Sequence, residues 1–246
     1  MEIKKILAED KICNNFLIYL CEKYSYNLLR KVDNNILYID KKNNKVWVAN
    51  TKKFLVINDR CFKYFFSKNI NYISIGENTF FDYKIENKLK ALKFKKTIQG
   101  ISVFEKNFYI PDIKIEDKYI VESVTKDNFN EVISFLYNEN FYPDSIETWK
   151  EVYYDNMVGF IIRINGEIVS HACSVYQTSD LGVVWGVATN IQYRRQGLAT
   201  YLVFLVIKEL LILNKAAILY WTDEYLKKFY EKMGFKSNHY VKIYKK

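Results

Sequence analysis

The sequence holds only 2 prolines, 8 glycines, 4 cysteines and 2 histidines in 246 residues, and each scarcity excludes something. Gly and Pro are too few for a collagen-like or low-complexity chain, and 50% hydrophobic residues against 26% charged ones is not a disordered composition. The cysteines Cys13, Cys21, Cys61 and Cys173 are scattered without a CxxC pair, and His171 and His239 alone could supply imidazole. No metal site is therefore expected, and the thiols read as buried and reduced. No apolar run reaches the roughly 18 residues of a membrane span. The most apolar stretch, Tyr201 to Trp221, is broken by Lys208, Glu209, Asn214 and Lys215. Residues 1–10 have neither the apolar region nor the small-residue cleavage site of a secretory signal, so a cytoplasmic protein without a membrane partner is expected.

What is present is ample material for a core, with 17% aromatic residues in a chain longer than one typical domain of about 100–150 residues. The net charge of +9 is uneven: residues 1–117 hold 22 Lys and Arg against 14 Asp and Glu, residues 118–246 hold 15 against 14. Such a bias can attract nucleic acid, but the lysines are dispersed among Ile, Asn and Tyr, and a solvated surface is the expected reading.

Pro111 opens the short polar segment Pro111 to Lys118, the expected linker between a domain over 1–110 and another over 119–246. Beyond it, Tyr119 to Val124 reads as a strand, and Phe129, Val132, Ile133, Leu136 and Tyr137 recur at helical spacing. A second short helix is expected after Pro143, with Trp149 and Val152 inward. Val158 to Ile164 and Glu167 to Tyr176 form a hairpin about Asn165-Gly166, the strongest two-residue turn signal. Val183 to Thr189 is a further strand, Gly197 to Leu213 a largely buried helix, and Ala217 to Trp221 a short buried strand. Glu224 to Met233 is a helix ended by Gly234, and Val241 to Tyr244 the last strand. The fold class is α/β (α+β): a mixed, mostly antiparallel sheet flanked by helices. The first half shows a long helix near Ile12 to Leu29, strands at Ile36 to Ile39, Val46 to Ala49, Phe54 to Ile57 and Tyr72 to Ile75, and helices near Cys61 and Leu89. Its ending, Lys90 to Lys95 followed by Ile101 to Phe104, echoes Tyr230 to Lys236 followed by Val241 to Tyr244, which suggests a tandem of two related domains.

The segment from Val183 to Thr200 carries the chemistry. A strand leads through the short loop Ile191-Gln192-Tyr193-Arg194-Arg195-Gln196 into a helix whose first turn contains Gly197 and Ala199, so unpaired amides face a space free of side chains. The helix start contributes about half a positive charge, and Arg194 and Arg195 add full ones, a combination suited to phosphate.

This stretch resembles the acyl-CoA-binding motif of the GNAT superfamily of N-acetyltransferases: Gln or Arg, two residues, Gly, one residue, then Gly or Ala, matched by Arg194, Gly197 and Ala199. Asp223 to Phe235, with Tyr230 and Gly234-Phe235, is similar to the family's closing segment, although Asp223 stands where the family usually has Asn. The resemblance covers about residues 119–246. It implies an opening between the strands Val183 to Thr189 and Ala217 to Trp221 that takes acetyl-CoA as acyl donor. Val187 and Thr189 would pair with the pantetheine amides, with Ala188 between them, while Arg195, Gln196, Gly197, Leu198, Ala199 and Thr200 hold the pyrophosphate. Tyr230 stands where the family places its general acid.

The implied reaction is attack of an amine on a thioester. An alkylammonium is only about 0.1% neutral at pH 7, so its deprotonation costs on the order of 4 kcal/mol unless assisted. The base is open: no acid lies on Val183 to Thr189, and His171, Glu224 or a water relay could serve. The acceptor, a small-molecule or peptide amine, is not written in the sequence. Residues 1–110 lack a matching loop around Asn58 to Phe65; they read as a degenerate copy that covers the substrate side or forms a homodimer interface. The rival functions are a non-catalytic CoA-sensing or RNA-associated protein, and aminoacyl transfer from charged tRNA.

Overall fold

The structure is a computed structural model describing residues 2–33, 35–42, 44–52, 55–66, 70–141, 150–151, 153–154 and 158–246, the side chains of 64–66 excepted. Ile36 and Leu37 are sequence neighbours, both fully buried, and belong to different cores. That is the signature of a strand covered on both faces, because successive side chains of a strand point opposite ways. The strand is β2 (Asn35–Asp40). Ile36 packs with Leu7 of α1 (Glu2–Ala8) and Leu17 and Cys21 of α2 (Asn15–Lys23). Leu37 packs with Cys61 and Phe62 of α3 (Asp59–Phe66) and Ile85 and Leu89 of α4 (Tyr83–Ala91).

The chain groups into two compact units that interleave in sequence, the first made of Met1–Ser102, Tyr220–Lys228 and Ser237–Lys246, the second of Val103–Leu219 and Phe229–Lys236. In the first unit β1 (Arg30–Val32) pairs with β2 and β2 with β3 (Lys45–Val48), both antiparallel. β3 runs parallel to β5 (Tyr72–Gly76), as Val46↔Ile73 and Val48↔Ile75 show. A separate pair joins β4 (Leu55–Ile57) and β6 (Thr79–Phe81). After α4 comes β7 (Lys95–Phe104), longer than the sequence suggested. The expected long helix near Ile12 to Leu29 is cut short because the Ser25 hydroxyl accepts the Asn27 amide at 3.1 Å, turning the backbone into a single 3-10 turn, Tyr26–Leu28.

In the second unit β8 (Ile120–Ser123), β9 (Val158–Ile164), β10 (Glu167–Val175) and β11 (Leu181–Thr189) form an antiparallel sequence of neighbours. The β9–β10 turn has Asn165 at φ 51° and Gly166 at φ 86°, the mirror-image turn expected of Asn-Gly. α5 (Phe129–Asn138) buries Phe129, Val132, Ile133 and Leu136, the spacing read from the sequence. α6 (Leu198–Ile212) is apolar almost all round and packs on β9, β10 and β11. β12 (Ala216–Trp221), α7 (Glu224–Glu231) and β13 (Phe235–Lys245) follow. The helix expected after Pro143, with Trp149 and Val152, lies outside the described residues.

β13 is longer than the expected Val241 to Tyr244, since its first half, Lys236-Ser237-Asn238-His239, is polar and carries no apolar pattern. From Val241 onward it pairs antiparallel with β5, Val241 opposite Gly76 and Lys245 opposite Tyr72, so the first unit uses a strand from the far end of the sequence. All four cysteines are free thiols; Cys21, Cys61 and Cys173 are buried, while Cys13 is only partly so.

Candidate functional site

β11 pairs with β10 along one edge, but on the other its parallel ladder with β12 stops after Leu181↔Ala216, Gly182↔Ala217 and Val183↔Ile218. From Val184 to Thr189 that edge presents backbone groups with no strand against them among the described residues. Parallel strands bonded at one end and free at the other splay, and an extended ligand with amide groups can lie in the opening as an added strand.

A bulge lies within this stretch. Between His171↔Ala188 and Cys173↔Trp185, two steps along β10 match three along β11. Gly186 sits there at φ 61°, a conformation that suits glycine. A Cβ at Gly186 would come within 2.9 Å of His171 Cε1, so the absence of a side chain also admits the imidazole. His171 Nδ1 lies 2.6 Å from the Gly186 carbonyl, and Nε2 lies 2.7 Å from the Tyr153 hydroxyl. A carbonyl only accepts, so Nδ1 carries the proton and donates, and Nε2 accepts from Tyr153. The imidazole is completely buried, and both nitrogens are engaged. The expected role of His171 as a base is therefore corrected: a base needs access to its substrate, and His171 is a strut beneath the bulge.

Burial pushes the His171 pKa down to about 4. The groups facing it, Tyr153 and Cys173, are held neutral by the same burial. In the unfolded chain the imidazole titrates near 6.5, so between that pH and about 4 the unfolded state binds a proton that the folded state refuses. Stability should be full above pH 6.5 and fall towards pH 4, by at most about 1.4 kcal/mol per pH unit from this group. Urea unfolding at pH 7, 6, 5 and 4.5 measures the slope, and His171→Gln should flatten it by one proton's worth. An unchanged slope would show that His171 does not titrate on unfolding.

Past β11 the Asn190 side chain accepts the Gln192 amide at 3.1 Å and opens a 3-10 turn, Ile191–Tyr193. Arg195 follows at φ 64°, and Gly197 at φ 79° is the first residue of the helix entry. The first α6 bond runs from the Tyr201 amide to the Gly197 carbonyl at 2.9 Å, which leaves the amides of Leu198, Ala199 and Thr200 without helical acceptors. Gly197 is exposed, and a Cβ there would meet nothing within 4 Å. The loop is thus an open nest of amides at a helix start, and it can hold an anion.

The two arginines divide their work. Arg194 Nε donates to the Thr189 carbonyl at 2.8 Å, and its guanidinium pairs with Glu139 at 3.2 Å. It ties the loop to β11 and α5, so its charge is largely answered within the protein, contrary to the expectation that both arginines are free for an anion. Arg195 is exposed and has no ion-pair partner among the described residues. Gln196 accepts a hydrogen bond from the Tyr119 hydroxyl, which anchors the loop to the start of β8. The Ala188 carbonyl accepts from Ser170 Oγ at 3.1 Å, and Thr189 Oγ1 bonds the same hydroxyl at 2.8 Å. Val187 lies within the bulge, between the Trp185 and Ala188 registers.

Tyr230 is buried between Phe229 and Phe235, with ring centroids 5.0 and 5.9 Å away. Burial pushes its pKa up to about 12, so the phenol stays protonated through neutral pH. Its hydroxyl makes no hydrogen bond among the described residues, leaving it able to donate to a ligand. Asp223 caps α7, accepting the Leu226 amide on Oδ1 at 2.9 Å, a task that Asn performs equally well. Glu224 is exposed in the first turn of α7 and pairs with Lys227 at 3.7 Å.

Three contributors escaped the sequence reading. Gly186 had a usable signal, a glycine in the middle of an apolar strand. Glu139 and Tyr119 had none, because each acts through a partner more than fifty positions away.

The profile of the GNAT acetyltransferase family matches residues 29–244. Among solved structures, a GCN5-related N-acetyltransferase from Kribbella flavida is 12% identical, with a TM-score of 0.64 over 95% of each chain. A GCN5-related N-acetyltransferase-like protein from Streptococcus suis is 14% identical, with a TM-score of 0.59 over 96% of each. A protein of unknown function from Staphylococcus epidermidis is 11% identical, with a TM-score of 0.60 over 87% of this chain and 91% of its own. At such identities the likeness is one of fold. No curated protein matches this sequence significantly.

Proposed function

The chain belongs to the GNAT acetyltransferase family, and from that premise we propose that it moves an acetyl group from acetyl-CoA to an amine by direct attack. The observation that carries the reading is the meeting of two features in one unit: the open edge of β11 and the amide nest at the start of α6. In this reading the pyrophosphate sits on the amides from Arg195 to Thr200, with the Arg195 side chain beside it. The pantetheine arm extends along β11 and pairs chiefly with Val187, since the Thr189 carbonyl already receives Arg194. Ala188 lies between them, its carbonyl turned to Ser170.

The amine nitrogen then adds to the thioester carbonyl, the C–N bond forms, and the C–S bond breaks. The departing thiolate takes its proton from Tyr230, a phenol that burial keeps neutral and protonated. The proton lost by the amine leaves through water. His171 is excluded as its first acceptor by its two occupied nitrogens. The test is free-thiol release from acetyl-CoA in the presence of an amine panel, with amine-dependent turnover as the expected result. Tight acetyl-CoA binding without turnover on any amine would leave only a CoA-binding protein.

We also infer that residues 1–110 are a degenerate copy of the same fold. An antiparallel pair, a helix linking two parallel strands, another helix and a long strand occur in that order as β2, β3, α3, β5, α4 and β7. They recur as β10, β11, α6, β12, α7 and β13, the paired strands β4 and β6 being additions in the first set. The sequence around Asn58 to Phe65, leading into α3, has no counterpart of Arg194 to Ala199, so calorimetric titration should find one acetyl-CoA site per chain. Two equivalent sites would refute the degenerate reading.

A further inference from the structure

Between α1 and α2 the chain turns through residues 9–14, and the turn is fixed by buried amides. Asn14 Nδ2 donates to the Leu7 carbonyl at 3.1 Å and the Asn50 carbonyl at 2.8 Å, and its Oδ1 accepts the Asn50 amide at 2.7 Å. Asn50 Oδ1 in turn accepts the Asn78 amide at 3.1 Å. From this lattice Asn50 Nδ2 donates to Asp10 Oδ2 at 2.7 Å, while Asp10 Oδ1 accepts the Cys13 amide at 3.0 Å. The carboxylate is thereby oriented.

β13 delivers His239 to the same place. Its Nδ1 is shut off from water, has no hydrogen-bond partner among the described residues, and stops 3.9 Å from Asp10 Oδ1. A sealed imidazole nitrogen facing a carboxylate without bonding it is costly, and a cation between the two would satisfy both. Cys13 completes the group: its thiol lies 3.7 Å from the Tyr240 carbonyl and within hydrogen-bonding reach of the Asp10 carboxylate, and the donor atoms of Asp10, Cys13 and His239 all lie within 4.8 Å of one another.

We propose that Asp10, Cys13 and His239 bind a borderline divalent metal ion, Zn(II) in class, with Asn50 orienting the carboxylate. Thiolate plus imidazole selects this kind of ion over Mg(II) or Ca(II), and three protein ligands leave a fourth position to water. With metal–ligand distances of about 2.0–2.3 Å, tetrahedral donors stand about 3.3–3.7 Å apart, so closure needs movements of about 1 Å. On binding, the Cys13 thiol gives its proton to solvent as the S–metal bond forms. The ion would clip the α1–α2 turn to β13, a contact the sequence hides because the ligands are distant along the chain.

The whole protein, stripped with a chelator and kept reduced, is titrated with Co(II) as the spectroscopic probe. One equivalent should bind, with thiolate-to-cobalt absorption in the near ultraviolet and strong visible bands of tetrahedral geometry, all bleached by Zn(II). Cys13→Ser should abolish the thiolate band, Cys21→Ser should keep it, and Asp10→Asn and His239→Gln should each weaken Co(II) binding at least about tenfold. A wild-type protein without the band, or a band that survives Cys13→Ser, overturns the proposal. Because a variant can fail by misfolding, the wild type supplies a second reading: Zn(II) at a hundredfold excess over Kd should raise Tm by about 5–10 °C. A Tm that Zn(II) does not raise counts against the site.

Discussion

Gly197→Glu should weaken acetyl-CoA binding on the order of a thousandfold while the protein remains folded. The two halves of that expectation come from different facts. A side chain at Gly197 meets nothing within 4 Å, so the fold need not give way to it, and the left-handed φ of 79° costs about 1–2 kcal/mol. A carboxylate at this point instead occupies the space over the α6 amides and opposes the pyrophosphate charge. At about 4 Å and an effective dielectric near 20 that repulsion is about 4 kcal/mol, or about three decades in Kd. Gly197→Ala separates the terms, since it carries the backbone strain without the charge and should lose far less. Calorimetric titration of both variants decides the matter, and a folded Gly197→Glu protein with unchanged Kd would move the cofactor site elsewhere.

Tyr230→Phe should lower the rate of the chemical step by about 10²–10⁴ with little change in acetyl-CoA affinity. The ring stays between Phe229 and Phe235, so packing is preserved, and only a hydroxyl with no bond to the described residues is removed. Steady-state kcat falls by less if product release limits turnover, so single-turnover acetyl transfer is the fair measurement. Full single-turnover activity in Tyr230→Phe would mean that the thiolate leaves unaided or is protonated by another group.

The second unit was legible where local chemistry decides structure. Asn165-Gly166 dictates its own turn, Phe129 to Leu136 shows its period, and a glycine at a strand-to-helix loop announces the start of α6. Legibility failed where structure depends on distant partners. Arg194 reads as a free cation until Glu139 and the Thr189 carbonyl are seen beside it. His171 reads as a titrating base until Tyr153 and the Gly186 carbonyl enclose it. The polar start of β13 offers no alternation of apolar residues, because much of this strand is only partly covered. In the N-terminal half β2, β3, β4 and β5 were read, but the short β1 and β6 were not, and neither was the pairing, since register and partner depend on which edges are still open when the sheet assembles.

The pairing of β13 with β5 bears on biosynthesis. At about 5–20 residues per second, a ribosome needs about 8–30 s to travel from Gly76 to Phe235, and throughout that time the β5 edge lacks the strand that covers it in the finished protein. An uncovered edge bearing Ile73 and Ile75 is a template for pairing with another nascent chain. Slowing translation of the messenger between these two points should therefore raise the yield of aggregates without altering a single residue.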